Sequence, residues 1–520
     1  MFNVLDRITT VDGHLATIKY VGKLEEVWGD EEIALGVEWD DPTRGKHDGS
    51  HNGRRYFTTD KAKAGSFLKA SSVKISKERR TFLEALVYRY GVALSHNFEE
   101  FRFGKKAVEC YGLQKLDKLR SDFEKLTYVS LNRYSVVSFT STPDTRSILS
   151  KLGNISTLDI SFNLINRAET VWDIADNLPG LTELNLSGNR LLLWADSEKC
   201  DEALIPHAKL RSLKMASTCM KPGHLNLFFK KFPLIEKLDL AYNGYSNQDI
   251  MDMQFPGSLQ FIDLTSNILS SVPNLFSRTK VNDINLSQNI ITTLDKTEYP
   301  FYKVKKLLLK SNLLNDWNSI DIIPSMFPNL EEIHLAGNPL FVSMSVDEMM
   351  TLLTARLSSG KDSLDNNGFF KINGSDVTPD DIRNAELYFV SKVRSGDIPF
   401  DLRSHKWSDL LNRYRILPKT VSKSNNGFFR DRLKVFLVNT ERGIVKEREI
   451  FKPYSILRVK GIVSELFNLA PLNFAVYYCL KNDSGVEDTD SREFLEDNLA
   501  LVDSYEFTEG QKLYITSKCS

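Results

Sequence analysis

The sequence predicts a multidomain chain: a small β-barrel, then an α/β solenoid of stacked repeats, then an α+β roll. Three observations carry this. Residues 1–75 alternate short β-prone runs with glycine-rich turns. From about residue 126 to 340 one apolar pattern recurs every 22–29 residues. After residue 430 come two strand-like runs, a helical run and two more strand-like runs. The 520 residues leave room for several domains, and an apolar content of 42% supplies their cores.

The repeats place apolar residues at positions 1, 4, 6 and 11, with Asn usually at 9. Ile155, Leu158, Ile160, Asn163 and Ile165 make the first clean copy. Six more end on Asn189, Asn243, Asn267, Asn289, Asn312 and Asn338. A weaker copy has Leu210, Leu213, Met215 and Thr218, and a worn first copy has Val129, Leu131 and Tyr134. Spacings of 26, 29, 25, 24, 22, 23 and 26 between successive position-9 residues identify a leucine-rich-repeat solenoid. Positions 4 and 6 face inward from a short strand, and the buried Asn satisfies backbone groups where the chain leaves it. Asn is therefore structural. Outward strand positions carry the information about partners, and Asp159, Asn185, Asp239, Asp263 and Asn285 are the candidate residues of a concave protein-binding face. A plain solvated face is the alternative. Repeats need caps: Phe82, Leu83, Leu86, Val87 and Tyr90 follow helical spacing before them. Helical stretches at 349–357 and 380–393 follow them.

The N-terminal module carries Thr17–Val21 and Ile33–Trp39 as strands, then a loop from Asp40 to Phe57. Gly45, Gly49 and Gly53 permit positive φ and close backbone approach. Lys46, Arg54 and Arg55 bring charge; Tyr56, Phe57 and Phe67 bring aromatic surface. Free amides in such a turn can form a nest for a carboxylate. The ligand implied is an acidic peptide tail ending in an aromatic residue. Gly45-Lys46-His47-Asp48-Gly49, with Gly53, Tyr56, Phe57 and Gly65-Ser66-Phe67, resembles the CAP-Gly (cytoskeleton-associated, glycine-rich) family. That resemblance implies binding of Glu-Glu-Tyr/Phe tails by Gly45, Lys46, His47, Asp48, Gly49, Tyr56, Phe57 and Phe67. Two positions depart from the family pattern. His47 stands where Asn is commoner, and Ala34 where a Trp is usual, with Trp28 as the candidate substitute for that wall.

Past a polar stretch at 418–426, the ββαββ order of residues 433–516 resembles ubiquitin-like domains. The ending Lys518-Cys519-Ser520 lacks the diglycine used in conjugation, so a docking role is expected.

Catalytic signatures are missing from the sequence. Gly22, Gly45, Gly104 and Gly360 precede Lys, but Ser or Thr never follows, so no phosphate loop exists. Neither a His-Glu-x-x-His nor a Gly-x-Ser-x-Gly motif occurs. The readings are no catalytic residues, no metal and no cofactor. Charges nearly cancel, 67 Lys+Arg against 68 Asp+Glu, which argues against nucleic-acid or membrane partners. Five scattered cysteines fit a reducing, cytoplasmic setting. Expected boundaries are 1–75 for the CAP-Gly module, 76–125 for a helical cap and linker, 126–400 for the solenoid with its C-terminal cap, 401–429 for a linker and 430–520 for the ubiquitin-like module.

The three modules in this order resemble the tubulin-folding cofactor E family. The resemblance implies a non-enzymatic cofactor that binds α-tubulin by its C-terminal tail and body. It implies action with cofactors D and C in assembling and dissociating the α/β-tubulin heterodimer, in the cytoplasm and at the cytoskeleton. Cofactor B and the proteasome are further candidate partners. The alternatives are a microtubule-associated CAP-Gly adaptor and a substrate receptor in ubiquitin-dependent degradation.

Overall fold

The computed structural model describes residues 2–24, 28–29, 32–91, 102–103, 106–107, 122–140, 147–192, 204–358, 370–415, 432–470, 473–481, 487–505, 507–508 and 510–517. The chain forms two compact units, residues 1–410 and 411–520. The polar stretch expected as a linker at 418–426 lies outside the described residues.

In the first unit, β1 (Arg7–Thr9), β2 (Leu15–Lys23), β3 (Ile33–Trp39) and β4 (Gly65–Lys69) form an antiparallel sheet in that order. Ile8, Ala16, Ile18, Leu35, Val37, Trp39 and Ile75 make its core. A register shift between Ile18 and Tyr20 changes the alternation of β2. Ile18 pairs with Val37 on the core side, whereas Tyr20 pairs with Gly36 on the opposite face. Such a bulge re-aims every side chain that follows it.

The repeats stack as expected. Strands of three residues, from Tyr128–Ser130 to Glu332–His334, pair in parallel with equivalent residues opposite one another. Positions 4 and 6 are buried along the solenoid, Leu158, Ile160, Leu264 and Leu309 fully so. Asn267 shows the ladder at work. Its Nδ2 donates to the Leu240 and Leu264 carbonyls at 3.1 and 2.9 Å, and its Oδ1 accepts from the Asn243 and Tyr245 amides at 3.2 and 2.9 Å. Position 8 is left-handed in every repeat: Arg133, Phe162, Gly188, Ser217, Tyr242, Ser266, Gln288, Ser311 and Gly337 all have φ between 52° and 78°. This residue turns the chain out of the strand and defines one edge of the solenoid.

The N-side cap is a short helix, Phe82–Leu86, closed by a Thr81/Glu84 capping box, with Phe82, Leu83, Ala85 and Leu86 buried. Just beyond it, the Tyr90 hydroxyl accepts the Ser130 amide of the first strand at 3.0 Å. At the far end, the sheet closes with a hairpin of Phe370–Ile372 and Ser375–Val377. Helices Val346–Leu357 and Pro379–Ser395 cover that end. Residues 405–413, expected within a linker, instead form a helix with Trp407, Leu410 and Leu411 buried. Its polar residues hide that apolar stripe from a composition-based reading.

The second unit is an α+β roll. β5 (Arg432–Asn439), β6 (Ile444–Phe451), β7 (Phe474–Lys481), β8 (Glu487–Phe494) and β9 (Gln511–Ser517) form one sheet, ordered β6-β5-β9-β7-β8. Helix Ile456–Phe467 packs Ile456, Val459, Val463 and Phe467 into its core. The strand β8 is an addition to the expected ββαββ order.

Candidate functional site

The face of the barrel opposite its core carries an aromatic cluster. Phe67 on β4 lies opposite Gly36 in the register, and Tyr20 flanks Gly36 from β2. Ring centroids place Phe67 at 5.5 Å from Tyr56, 5.5 Å from Phe57, 5.0 Å from His47 and 6.4 Å from Tyr20. Tyr20 also meets Tyr56 edge-on at 5.4 Å. Phe57 is buried and supports the cluster; Tyr56, Phe67 and Tyr20 are half-buried and available. A Cβ on Gly36 would come within 2.4 Å of Phe57, so only glycine lets the ring settle there.

The glycine-rich loop frames this cluster. Gly45 ends a short turn, its amide donating to the Pro42 carbonyl at 3.1 Å. The Lys46 and His47 amides donate to the Gly65 carbonyl at 2.7 and 3.1 Å. The Gly49 amide donates to His47 Nδ1 at 3.0 Å, and the Ser50 amide to Asp48 Oδ1 at 3.1 Å. Gly49 has φ +95°, and a Cβ there would meet the Phe57 carbonyl at 2.1 Å. These bonds correct one expectation: the amides of Lys46, His47, Gly49 and Ser50 are engaged within the module and do not form an open nest. The charge on this face comes from side chains. Asp48 holds Arg55 at 2.7 Å, and Arg54 lies over the Tyr56 ring at 5.2 Å. Lys46 is exposed, and its ammonium has no partner among the described residues.

His47 explains its own departure from the family pattern. An amide donating to Nδ1 requires that nitrogen to be unprotonated. An Asn carbonyl at this position could accept the same bond from two residues on. Partial burial, reinforced by His51 and Lys46, lowers the His47 pKa below 6.5. Ala34 is fully buried, and its register partner Gly22 lies under the Tyr20 ring, where an added Cβ would meet the phenol oxygen at 2.3 Å. Trp28 stands by Lys69, 5.6 Å from its ammonium. The aromatic that joins the cluster is Tyr20. Sequence reasoning missed it because simple alternation puts Tyr20 on the same face as buried Ile18.

The five candidate residues of the solenoid face share one geometry. Asp159, Asn185, Asp239, Asp263 and Asn285 each accept the backbone amide two residues on, at 2.8–3.1 Å. Asn285 also donates to Asp263 at 2.9 Å. Burial raises the Asp239 pKa, and the neighbouring Asp263 adds to that. Part of each side chain thus finishes a turn, and the remaining polar edge faces the concave side.

The barrel and the first repeats make direct contact. Arg7, whose side chain is fully buried, donates to both Asp40 oxygens at 2.6 and 2.5 Å and reaches the Gly188 carbonyl at 3.5 Å. Arg190 of the third repeat stands 3.8 Å from Asp40. Asn166 donates to the Leu5 carbonyl at 3.0 Å, and Arg133 to the Gly13 carbonyl at 3.0 Å. Burial alone would raise the Asp40 pKa, but Arg7, with Arg190 and Lys61, brings it below 3.8.

Among the described residues, no group of three His, Cys, Asp or Glu could hold a metal ion, and no helix is long and apolar enough to cross a membrane. Of the five cysteines, Cys110, Cys200 and Cys519 lie outside the described residues. Cys219 and Cys479 form no disulfide among the described residues.

The fold and the site define a protein of recognition surfaces, a CAP-Gly barrel joined to a leucine-rich-repeat solenoid and followed by a ubiquitin-like roll. The CAP-Gly domain family matches residues 4–73. The chain is 27% identical to Protein PAC2 of Saccharomyces cerevisiae over 527 residues, covering 99% of this chain and 97% of that one. It is 30% identical to the tubulin-specific chaperone E of Bos taurus, covering 74% and 71%. It is 28% identical to that of Xenopus laevis, covering 72% and 69%. The chain belongs to the tubulin-specific chaperone E family.

Proposed function

We propose that this protein is a tubulin-folding cofactor that captures α-tubulin by two surfaces of one chain. The barrel takes the acidic, aromatic-ended C-terminal tail. Tyr20, Tyr56 and Phe67 receive the terminal ring, with Phe57 beneath them, and Lys46 draws the carboxylates. Gly45, His47, Asp48 and Gly49 hold the loop in shape. The solenoid meets the body of the subunit, its concave face contributing the polar edges of Asp159, Asn185, Asp239, Asp263 and Asn285. Joining two modest sites on one molecule raises the effective concentration of the second, multiplying affinity by ~10²–10⁴. The roll docks another partner, cofactor D, C or B or the proteasome. The protein works without catalysis, in the cytoplasm and at the cytoskeleton.

The observation that carries this reading is the aromatic cluster around Phe67 beside the exposed Lys46. The test is titration with a peptide ending Glu-Glu-Tyr. Lys46→Ala should weaken binding, wild-type affinity should fall as salt rises, and removing the terminal Tyr should weaken wild-type binding. Equal binding by wild type and variant, with indifference to the terminal Tyr, would refute the tail reading.

A further inference from the structure

Among the described residues, the edge that the barrel covers continues, exposed, along the later repeats of the solenoid. Position 10 of the repeat lies in the turn leaving each strand, one residue after the buried Asn. In the second repeat this is Leu164, which is 3% exposed and lines the cleft between barrel and solenoid. In the third it is Arg190, facing Asp40 of the barrel. In the sixth, seventh and eighth repeats it is Ile268, Ile290 and Leu313, exposed by 52%, 46% and 44%. Pro339 occupies the same position in the ninth and is also exposed.

These residues are neighbours across the stack. The Ile290 amide donates to the Leu269 carbonyl at 3.0 Å and the Leu313 amide to the Ile291 carbonyl at 2.9 Å, tying successive turns together. Beside them, position 8 offers Ser266, Gln288, Ser311 and Gly337, none of them charged, and Tyr242, 56% exposed, precedes the row. A contiguous apolar row flanked at position 8 by uncharged groups has the make-up of an interface centre, where charge is depleted. The concave face is different: its candidate residues are polar, and each is tied to the backbone amide two residues on.

We infer that this edge, from Tyr242 to Pro339, is where the folded body of the α-tubulin subunit docks, as the apolar anchor of the contact. Continuity with the barrel interface argues for that occupant: the same repeat positions already bind a folded module at one end. A subunit held there would lie on the edge of the solenoid that also carries the barrel. The inference takes its partner from the proposed function but does not depend on the tail entering the barrel.

The test uses the full-length chain with Ile290→Asp and Leu313→Asp together, both at exposed positions, and Asp239→Ala with Asp263→Ala as the concave-face comparison. Binding is measured to tubulin heterodimer, to heterodimer whose acidic tails have been cleaved off, and to the tail peptide alone. The edge variant should keep its melting temperature and its peptide affinity. It should bind both heterodimer preparations about ten-fold or more weakly than wild type, the loss expected of an anchor in an interface centre. Should the edge variant lose melting temperature, the milder Ile290→Ala with Leu313→Ala serves, with a smaller loss in the same direction. Undiminished binding of tail-cleaved heterodimer by the edge variant would overturn the inference. So would a loss confined to the concave variant, or wild-type self-association by light scattering that the edge variant abolishes, which would assign the row to a second copy. If peptide binding fails in wild type while tail-cleaved heterodimer still distinguishes the edge variant, the tail reading falls and this inference stands.

Discussion

Arg7 holds Asp40 through both carboxylate oxygens while its guanidinium also reaches the backbone of the solenoid at Gly188. One side chain therefore braces the barrel internally and fastens it to the third repeat. Truncation would leave Asp40 partly buried beside the more distant Arg190. Arg7→Ala should cost about 3 kcal/mol, as breaking a buried pair does, read as a lowered midpoint of denaturation of the first unit. The Asp40 pKa is depressed in the folded protein, so its contribution is present above 3.8 and is lost as pH falls through the folded value. The gap between wild type and variant should therefore narrow in acid.

His47 gives a second pH dependence. Its pKa is lowered on folding, so the neutral ring's contribution is present above 6.5 and is lost as pH falls through the folded value. Protonation places a proton on Nδ1 and breaks the bond from Gly49. Tail-peptide affinity should fall about two- to ten-fold in acid, the worth of one hydrogen bond. His47→Asn should bind as well at neutral pH and lose the acid sensitivity. An unchanged acid profile in that variant would remove His47 as the source.

Tyr20→Ala should weaken tail-peptide binding by about 1 kcal/mol, the scale of one aromatic pair. Tyr20→Phe should be close to wild type, because among the described residues the hydroxyl donates only to the Lys23 carbonyl, at 3.1 Å. Isothermal titration of both variants separates the ring from the hydroxyl.

Asn267→Leu should destabilise the solenoid even though it adds apolar surface. The Leu240 and Leu264 carbonyls keep bonds from Asn243 and Asn289. The Asn243 and Tyr245 amides lose their acceptor, at ~1–3 kcal/mol each when left buried and unsatisfied. Thermal melting of the full-length chain checks it, and an unshifted transition would deny the Asn its structural role.

The solenoid was legible in the sequence because each repeat buries the same positions, so periodicity and packing are one signal. The weak copy survives on the same logic: Thr218 Oγ1 donates to the Met215 carbonyl at 3.0 Å, doing part of what Asn does elsewhere. The loop around Lys46 was legible as a motif, but its bonding was not, since amides that look free in a glycine-rich turn are tied to Gly65 across the module. Tyr20 was hidden by a one-residue bulge, which leaves no trace in composition. The strand β8 reads Glu-Asp-Thr-Asp-Ser-Arg-Glu-Phe, too charged for a β-propensity argument; pairing with β7 makes it a strand. The seating of the barrel on the repeats rests on Arg7, Asn166 and Arg133, residues far apart in the chain and individually ordinary.

A parallel sheet of short strands has two raw ends, each a row of amides and carbonyls ready to pair with a stranger. Here the leading end meets a phenol: Tyr90 takes the Ser130 amide before anything else can. The trailing end folds back on itself in the Phe370–Val377 hairpin, where the chain reverses direction and the stacking register stops. Neither end is thus left as a bare repeat strand: Tyr90 meets the first, and the hairpin, not another repeat, pairs with the last.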